Sequence, residues 1–300
     1  LTVRHRPFKL CVFTVLRTSD AAPPPSATPV ILNETQAAQI TPVATIENPI
    51  IGPTISGNRS AVILLPPGEE LNVRAAAGTG NPVLDTLPAT TTDIVRTGPV
   101  AQVGDDLWAE IALPTTGTGW VSARYLTEYV PAATFCMDTK IQILLDDLEF
   151  ALENKNGEFL ASLVSPVHGL DLRYYRYGTV ANYTAAEAAW VFQSTYVVNW
   201  GAEPGSGDAK EGTFSQVPAP ILMQVFSGNY EKHCNDAQKV SAFSLGPWPE
   251  EYANVNYYLI YLPGVNPDYG GLDWRAWAVG VEYVGGKPYL FALIHFQWEP

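Results

Sequence analysis

Three hundred residues, 47% hydrophobic and 11% aromatic, are enough for roughly two globular domains, each with its own core. A formal net charge of -13 argues against a nucleic-acid backbone partner, which requires clustered Lys and Arg, and the acid is concentrated after residue 130, where 9 Lys+Arg face 19 Asp+Glu. No apolar run is long enough for a transmembrane helix, and three cysteines fit neither a zinc site nor a dense disulfide scaffold.

At the start, Arg4, His5, Arg6 and Lys9 precede a short apolar run at 10–16, and small residues follow at Ser19, Ala21 and Ala22. That order reads residues 1–19 as a short or truncated signal segment, and hence predicts export. Lys9 is wrong for a lipoprotein signal at Cys11, so lipidation there is not expected. Residues 20–57 are rich in Pro, Thr, Ala, Asn and Ile with few charges. Such a stretch cannot bury enough apolar surface to offset its ordering entropy and reads as an extended linker. A tether and a plain disordered tail look alike at this level.

From 58 to 130 the pattern changes to short β runs with turn punctuation. Ala61-Val62-Ile63-Leu64-Leu65 is a strand, and Leu71-Asn72-Val73-Arg74 alternates. Val83-Leu84-Asp85-Thr86-Leu87 and Thr92-Asp93-Ile94-Val95 follow. Trp108-Ala109-Glu110-Ile111 alternates again, and Gly119-Trp120-Val121 is expected to close a small barrel. One or two aromatics should dominate so small a core; Trp120 is assigned to it and Trp108 to a partly exposed position. Together, Leu71-Asn72-Val73-Arg74, Gly78-Thr79-Gly80-Asn81-Pro82-Val83 and Gly119-Trp120-Val121-Ser122-Ala123-Arg124-Tyr125-Leu126 resemble a bacterial SH3 domain. The resemblance implies an SH3-like all-β barrel, a place outside the cytoplasm, and a cell-wall or peptide ligand. Trp108, Glu110, Arg124 and Tyr125 are the binding candidates. Two departures stand against a carried-over groove: Ala75-Ala76-Ala77-Gly78 where the family commonly has Ser-Gly-Pro-Gly, and a single aromatic at Leu107-Trp108. A spacer role is the competing reading.

Residues 134–300 read as an α+β domain. Ile141, Leu144, Leu145, Leu148, Ala151 and Leu152 fall at helical spacing after a cap at Asp138 or Thr139. A second short helix covers 158–164 and ends before Pro166, and a third covers 185–192. Strands are predicted at 195–198, 256–261, 276–283 and 289–296, the last two joined by a Gly285-Gly286 hairpin. Helices first and a curved antiparallel sheet last resemble the cystatin-like cone of the nuclear transport factor 2 superfamily. The aromatic C-terminal stretch also resembles an uncharacterised domain found beside SH3 barrels in bacterial envelope proteins. Cys136 and Cys234 are a candidate disulfide, which an oxidising compartment would allow.

Catalytic motifs are absent: no Gly-rich phosphate loop, no His-Glu-x-x-His helix and no Gly-x-Ser-x-Gly elbow. His168 and His295 with Asp171 or Glu282 are the weak candidates for acid–base or metal chemistry. Asp273 and Glu282 near Trp274, Trp277, Tyr283 and Trp298 raise carbohydrate hydrolysis for comparison. In each case local structural roles are favoured, and no metal or cofactor is expected. The sequence thus reads as an exported, non-enzymatic envelope protein that binds wall or peptide through its barrel. Its C-terminal domain is read as binding a ligand or partner. The alternative is a wall-acting hydrolase targeted by the barrel.

Overall fold

The computed structural model describes residues 59–115, 117–244 and 246–300. The signal segment at 1–19 and the linker at 20–57 lie outside the described residues, and so does Cys11.

Seven strands form the first sheet: β1 (Arg59–Val62), β2 (Glu70–Arg74), β3 (Val83–Pro88), β4 (Ile94–Val103), β5 (Asp106–Ala112), β6 (Thr118–Ser122) and β7 (Leu126–Glu128). All pairings are antiparallel, in the order β3-β2-β6-β5-β4-β1-β7. The sheet curls into a half-barrel. β6 is therefore an inner strand between β2 and β5, not the closing strand expected from the sequence. Strand alternation sends Leu71, Val73, Ala109, Ile111 and Val121 inward, where they meet Val62, Leu65 and Leu126. The core is aliphatic. Trp108 and Trp120 both lie on the other face, opposite Ser122 and Glu110 respectively. The assignment of Trp120 to the core is thus corrected, as is that of Trp108 to a partly exposed position: Trp120 is half-buried and Trp108 only 4% exposed.

The C-terminal half opens with α1 (Ala132–Met137), α2 (Thr139–Glu153) and α3 (Gly157–Leu163), then β8 (Leu170–Arg173) and β9 (Ala181–Tyr183). Next come α4 (Ala185–Ala188), β10 (Val198–Ala202), β11 (Ala209–Gly212) and α5 (Pro218–Phe226). β12 (Glu231–Cys234), α6 (Gln238–Ser241), β13 (Asn256–Leu262), β14 (Arg275–Val284) and β15 (Lys287–Gln297) complete it. The second sheet runs β12-β13-β14-β15-β8-β9. It is mixed rather than wholly antiparallel, because β8 lies parallel to β15. The third helix stops at Ala188, short of the expected 192, and the strand expected at 195–198 begins only at Val198.

Local chemistry explains the main elements. The Asp138 side chain accepts from Lys140 N and starts α2, whose buried residues are Ile141, Leu144, Leu145, Leu148, Ala151 and Leu152. Gly285 and Gly286 sit at φ +65° and +71°, as a two-residue hairpin loop of the primed type needs.

β14 and β15 are buried on both faces, which is why they read as continuous apolar runs. One face carries Ile260, Trp277, Val279 and Leu293 against α2 and α5. The other carries Leu259, Ala278, Ile294 and Phe296 under Val240, Tyr252 and Val255. Ile63, just past β1, belongs to that second core and is 1% exposed. Its burial contributes about 1.5–3 kcal/mol to holding the barrel on the sheet. Polar contacts seal the same junction. Leu64 N donates to Glu251 O at 2.7 Å, and Asn254 Nδ2 donates to the carbonyls of Val62 and Ala89 at 2.8 and 2.9 Å. The half-barrel and the C-terminal half form one compact unit.

Cys136 at the end of α1 and Cys234 at the end of β12 are joined by a disulfide, with Cα atoms 5.8 Å apart. The bond closes a loop of sequence separation 98, for which the chain-entropy account gives stabilisation of about 4–5 kcal/mol. Cys136→Ser with Cys234→Ser should lower the unfolding free energy by about 2–5 kcal/mol. Urea denaturation with and without reductant measures it; coincident curves would show that the bond contributes nothing.

Candidate functional site

Of the four candidates for chemistry, the structure brings two together. His168 lies in the turn between α3 and β8, and Glu282 lies on β14. His168 Nδ1 is 2.7 Å from Glu282 Oε2, and the two side chains are 6% and 1% exposed. Ser165 Oγ donates to Glu282 Oε1, and Thr127 Oγ1 donates to Oε2 at 3.3 Å. The other ring nitrogen, His168 Nε2, is 3.1 Å from the Arg124 carbonyl. Both ring nitrogens are therefore engaged, one by the Glu282 carboxyl and one by the Arg124 carbonyl. Thr127 and Arg124 belong to the half-barrel, and Ser165, His168 and Glu282 to the C-terminal half. The cluster is therefore a buried joint.

Its order excludes acyl transfer through Ser165. A nucleophilic serine needs its proton taken by the histidine, which the carboxylate orients from the far side. Here the serine bonds the carboxylate directly, and both histidine nitrogens are turned to Glu282 and the Arg124 carbonyl rather than to the serine.

Asp171 and His295 go elsewhere. Asp171, on β8, accepts from Tyr252 OH at 2.5 Å and from Asn182 Nδ2 at 2.8 Å. Burial, reinforced by the Asp171 charge, pushes the Tyr252 hydroxyl well above the usual tyrosine range. Arg173 next to it pairs with Glu251. His295 on β15 is 1% exposed and sits between Trp277 and Tyr174, with ring centroids 4.9 and 5.4 Å away. Its Nδ1–H donates to the Tyr174 carbonyl at 3.0 Å, so Nε2 is the bare nitrogen, and it has no partner among the described residues. Burial pushes the imidazole down to about 3. Asp273 accepts from the backbone N–H groups of Val265 and Asn266 in a loop. Asp273 lies before the start of β14, and the strand from Arg275 to Glu282 alone spans roughly 23 Å, far beyond the carboxylate spacing of a glycosidase. Trp274 and Trp277 are 3% and 0% exposed, so neither offers a face to a sugar. Among the described residues no group of three or more His, Cys, Asp or Glu converges to hold a metal.

The half-barrel carries an open groove of about 250 Å³ on its outer face. Trp108 forms its floor, and Arg124 and Tyr125 form one wall, with the Arg124 guanidinium 5.1 Å from the Tyr125 ring centroid. Glu69, Glu70 and Asp106 bring acid to the rim, and Asn72 and Arg74 bring polar and basic groups. Three of the four binding candidates thus share one groove. Glu110 does not; its carboxylate accepts from Thr97 Oγ1 at 2.5 Å and Thr118 Oγ1 at 3.0 Å, away from the groove lining. Asn72 and Arg74 were missed as site residues. Alternation was the available signal, since both point opposite to the core residues Leu71 and Val73.

Two predictions follow from the buried groups. His168→Ala leaves buried Glu282 without one of its hydrogen-bond partners, and should cost about 1–3 kcal/mol of stability in urea unfolding. Adding Glu282→Gln should restore part of that loss, because the two residues act as one unit. Strict additivity of the two changes would refute the coupling. His295 titrates near 6.5 in the unfolded chain and near 3 when folded, so between those values the unfolded chain binds the extra proton. Stability must then fall as pH falls from 6.5 toward 3, by roughly 2 kcal/mol between pH 7 and 5. The His295→Gln variant should lack that component of the pH dependence.

Residues 69–127 match the bacterial SH3 domain family. No curated protein and no solved structure matches the chain. The matched span runs from the rim at Glu69 to one residue before the end of β7, and it contains every lining residue of the groove but Leu65. Residues 69–127 of this chain are a bacterial SH3 domain.

Proposed function

We propose that this is an exported bacterial envelope protein that acts by binding, and that its half-barrel takes a cell-wall peptide in the groove over Trp108. Bacterial SH3 domains are in general cell-wall-binding modules. The observation that carries the reading is the groove itself, open on the outer face and lined almost wholly from within the matched span. Its rim opposes Glu69, Glu70 and Asp106 to Arg74 and Arg124, which suits a short peptide bearing both an amine and a carboxylate. The Cys136–Cys234 bond supports a place outside the reducing cytoplasm.

For the C-terminal half, three features support the cone reading. α1, α2 and α3 precede the sheet, β8 and β9 pair antiparallel at one edge, and β8 runs parallel to β15. The face under the helices is filled by Trp200, Trp277, Phe214 and Phe226, which favours a partner-binding or scaffolding role over an enclosed ligand site. The same filling, with His168 and Glu282 engaged at the joint, weighs against the wall-hydrolase alternative.

Sedimentation of the full chain with purified cell walls tests the barrel's part. The wild type should pellet with the walls. Arg124→Ala with Asp106→Ala should weaken retention at least tenfold, and Glu110→Gln, away from the groove, should leave it unchanged. Wild-type protein that stays in the supernatant would overturn the reading.

A further inference from the structure

α2 buries one face in the core, yet its outer side is not polar throughout. Ile143 is 60% exposed and Phe150 is 51% exposed. They lie two helical turns apart and so share a side of the helix. Phe159 of α3 meets Phe150 edge-on, with ring centroids 5.4 Å apart. The start of β15 forms the opposite bank. Between them runs an open groove of about 370 Å³, within the size range of small-ligand sites. It lies on the helical side of the C-terminal half and shares no lining residue with the groove over Trp108.

Charge is what singles this groove out. After residue 130 the chain has 9 Lys+Arg against 19 Asp+Glu, yet two of those cations, Lys140 and Lys287, line this groove with a single acid, Asp147. The Lys140 ammonium donates one hydrogen to the Gly286 carbonyl at 3.1 Å, and two of its three hydrogens remain. The Lys287 ammonium sits 4.5 Å from the Tyr289 ring centroid, and that contact uses none of its donors in a hydrogen bond. A groove lined by Ile143, Leu144, Phe159, Leu163 and Pro288 with two cations beside them is complementary to an apolar chain that ends in one negative charge.

We infer that this groove binds a single-chain anionic amphiphile, a free fatty acid. Lys140 and Lys287 hold the carboxylate, and the alkyl chain lies along Ile143 and Phe159. The site is independent of wall binding by the barrel.

Equilibrium dialysis of the full chain against labelled laurate below its micelle concentration, with dodecanol as the neutral match, tests the inference. Laurate should bind saturably at one site and at least tenfold more tightly than dodecanol. Lys140→Gln with Lys287→Gln should erase that preference. Ile143→Asp, on the exposed side of α2, should weaken both ligands at least tenfold without moving the thermal midpoint. Any of four results would overturn it. Laurate does not saturate; laurate and dodecanol bind equally; laurate binding survives these substitutions; or the protein pellets with anionic vesicles but ignores monomeric laurate, which would make the surface a bilayer contact.

Discussion

A carboxylate whose side chain is 1% exposed has lost nearly all its hydration, and Glu282 keeps its place only because protein groups replace that water. Its replacements come from both halves of the molecule. His168 and Ser165 are supplied by the turn that leads into β8, and Thr127 by the last strand of the half-barrel. Separating the two halves removes the Thr127 hydrogen bond from Glu282 and the Arg124 carbonyl from His168, in addition to the apolar contact. The joint also has direction. A hydrophobic seal tolerates sliding, whereas these two hydrogen bonds favour a single seating. Ile63 and the Asn254 contacts to the Val62 and Ala89 carbonyls complete the seal around it.

The same joint explains why the large sheet carries apolar residues on both faces. Helices cover one side of β14 and β15. The other side is covered by the 237–255 segment and by the half-barrel's own Ile63. Without the barrel, part of the second core would face water. The C-terminal half is thus built to be used with its neighbour, and the link at 129–131 between β7 and α1 is short because the two sheets need no slack.

What the sequence made legible follows from which forces are local. The alternation at Leu71-Asn72-Val73-Arg74 and the stripe of α2 depend on neighbours a few residues away, and both gave the right element and face. β14 and β15 were legible as strands because residues 276–284 and 289–296 are apolar, aromatic-rich runs broken only by Glu282 and His295, with Gly285-Gly286 between them. α5 was not, because Pro218 and Pro220 read as breakers, although proline in the first turn suits a helix start. β8 and β9, of four and three residues, carry too little pattern to register. The two tryptophans show a further limit. Alternation put Trp108 opposite Ala109, but it could not say that the outer-face Trp108 would be 4% exposed. The pairing of His168 with Glu282 spans 114 positions, and no local signal encodes it.

The joint reaches the candidate groove through the backbone. His168 Nε2 bonds the carbonyl of Arg124, and the side chains of Arg124 and Tyr125 form a wall of the groove. Arg124 sits in the single 3-10 turn Ala123–Tyr125 between β6 and β7, whose N-terminus has no side-chain cap. A turn so short holds its shape poorly alone. The hydrogen bond from His168 fixes one of its carbonyls, and the antiparallel pairing of β7 with β1 fixes the chain just beyond it. The Arg124–Tyr125 side of the groove is therefore held from the C-terminal half as well as from the barrel's own sheet. The C-terminal half thus helps set the geometry of a groove made from its neighbour's residues.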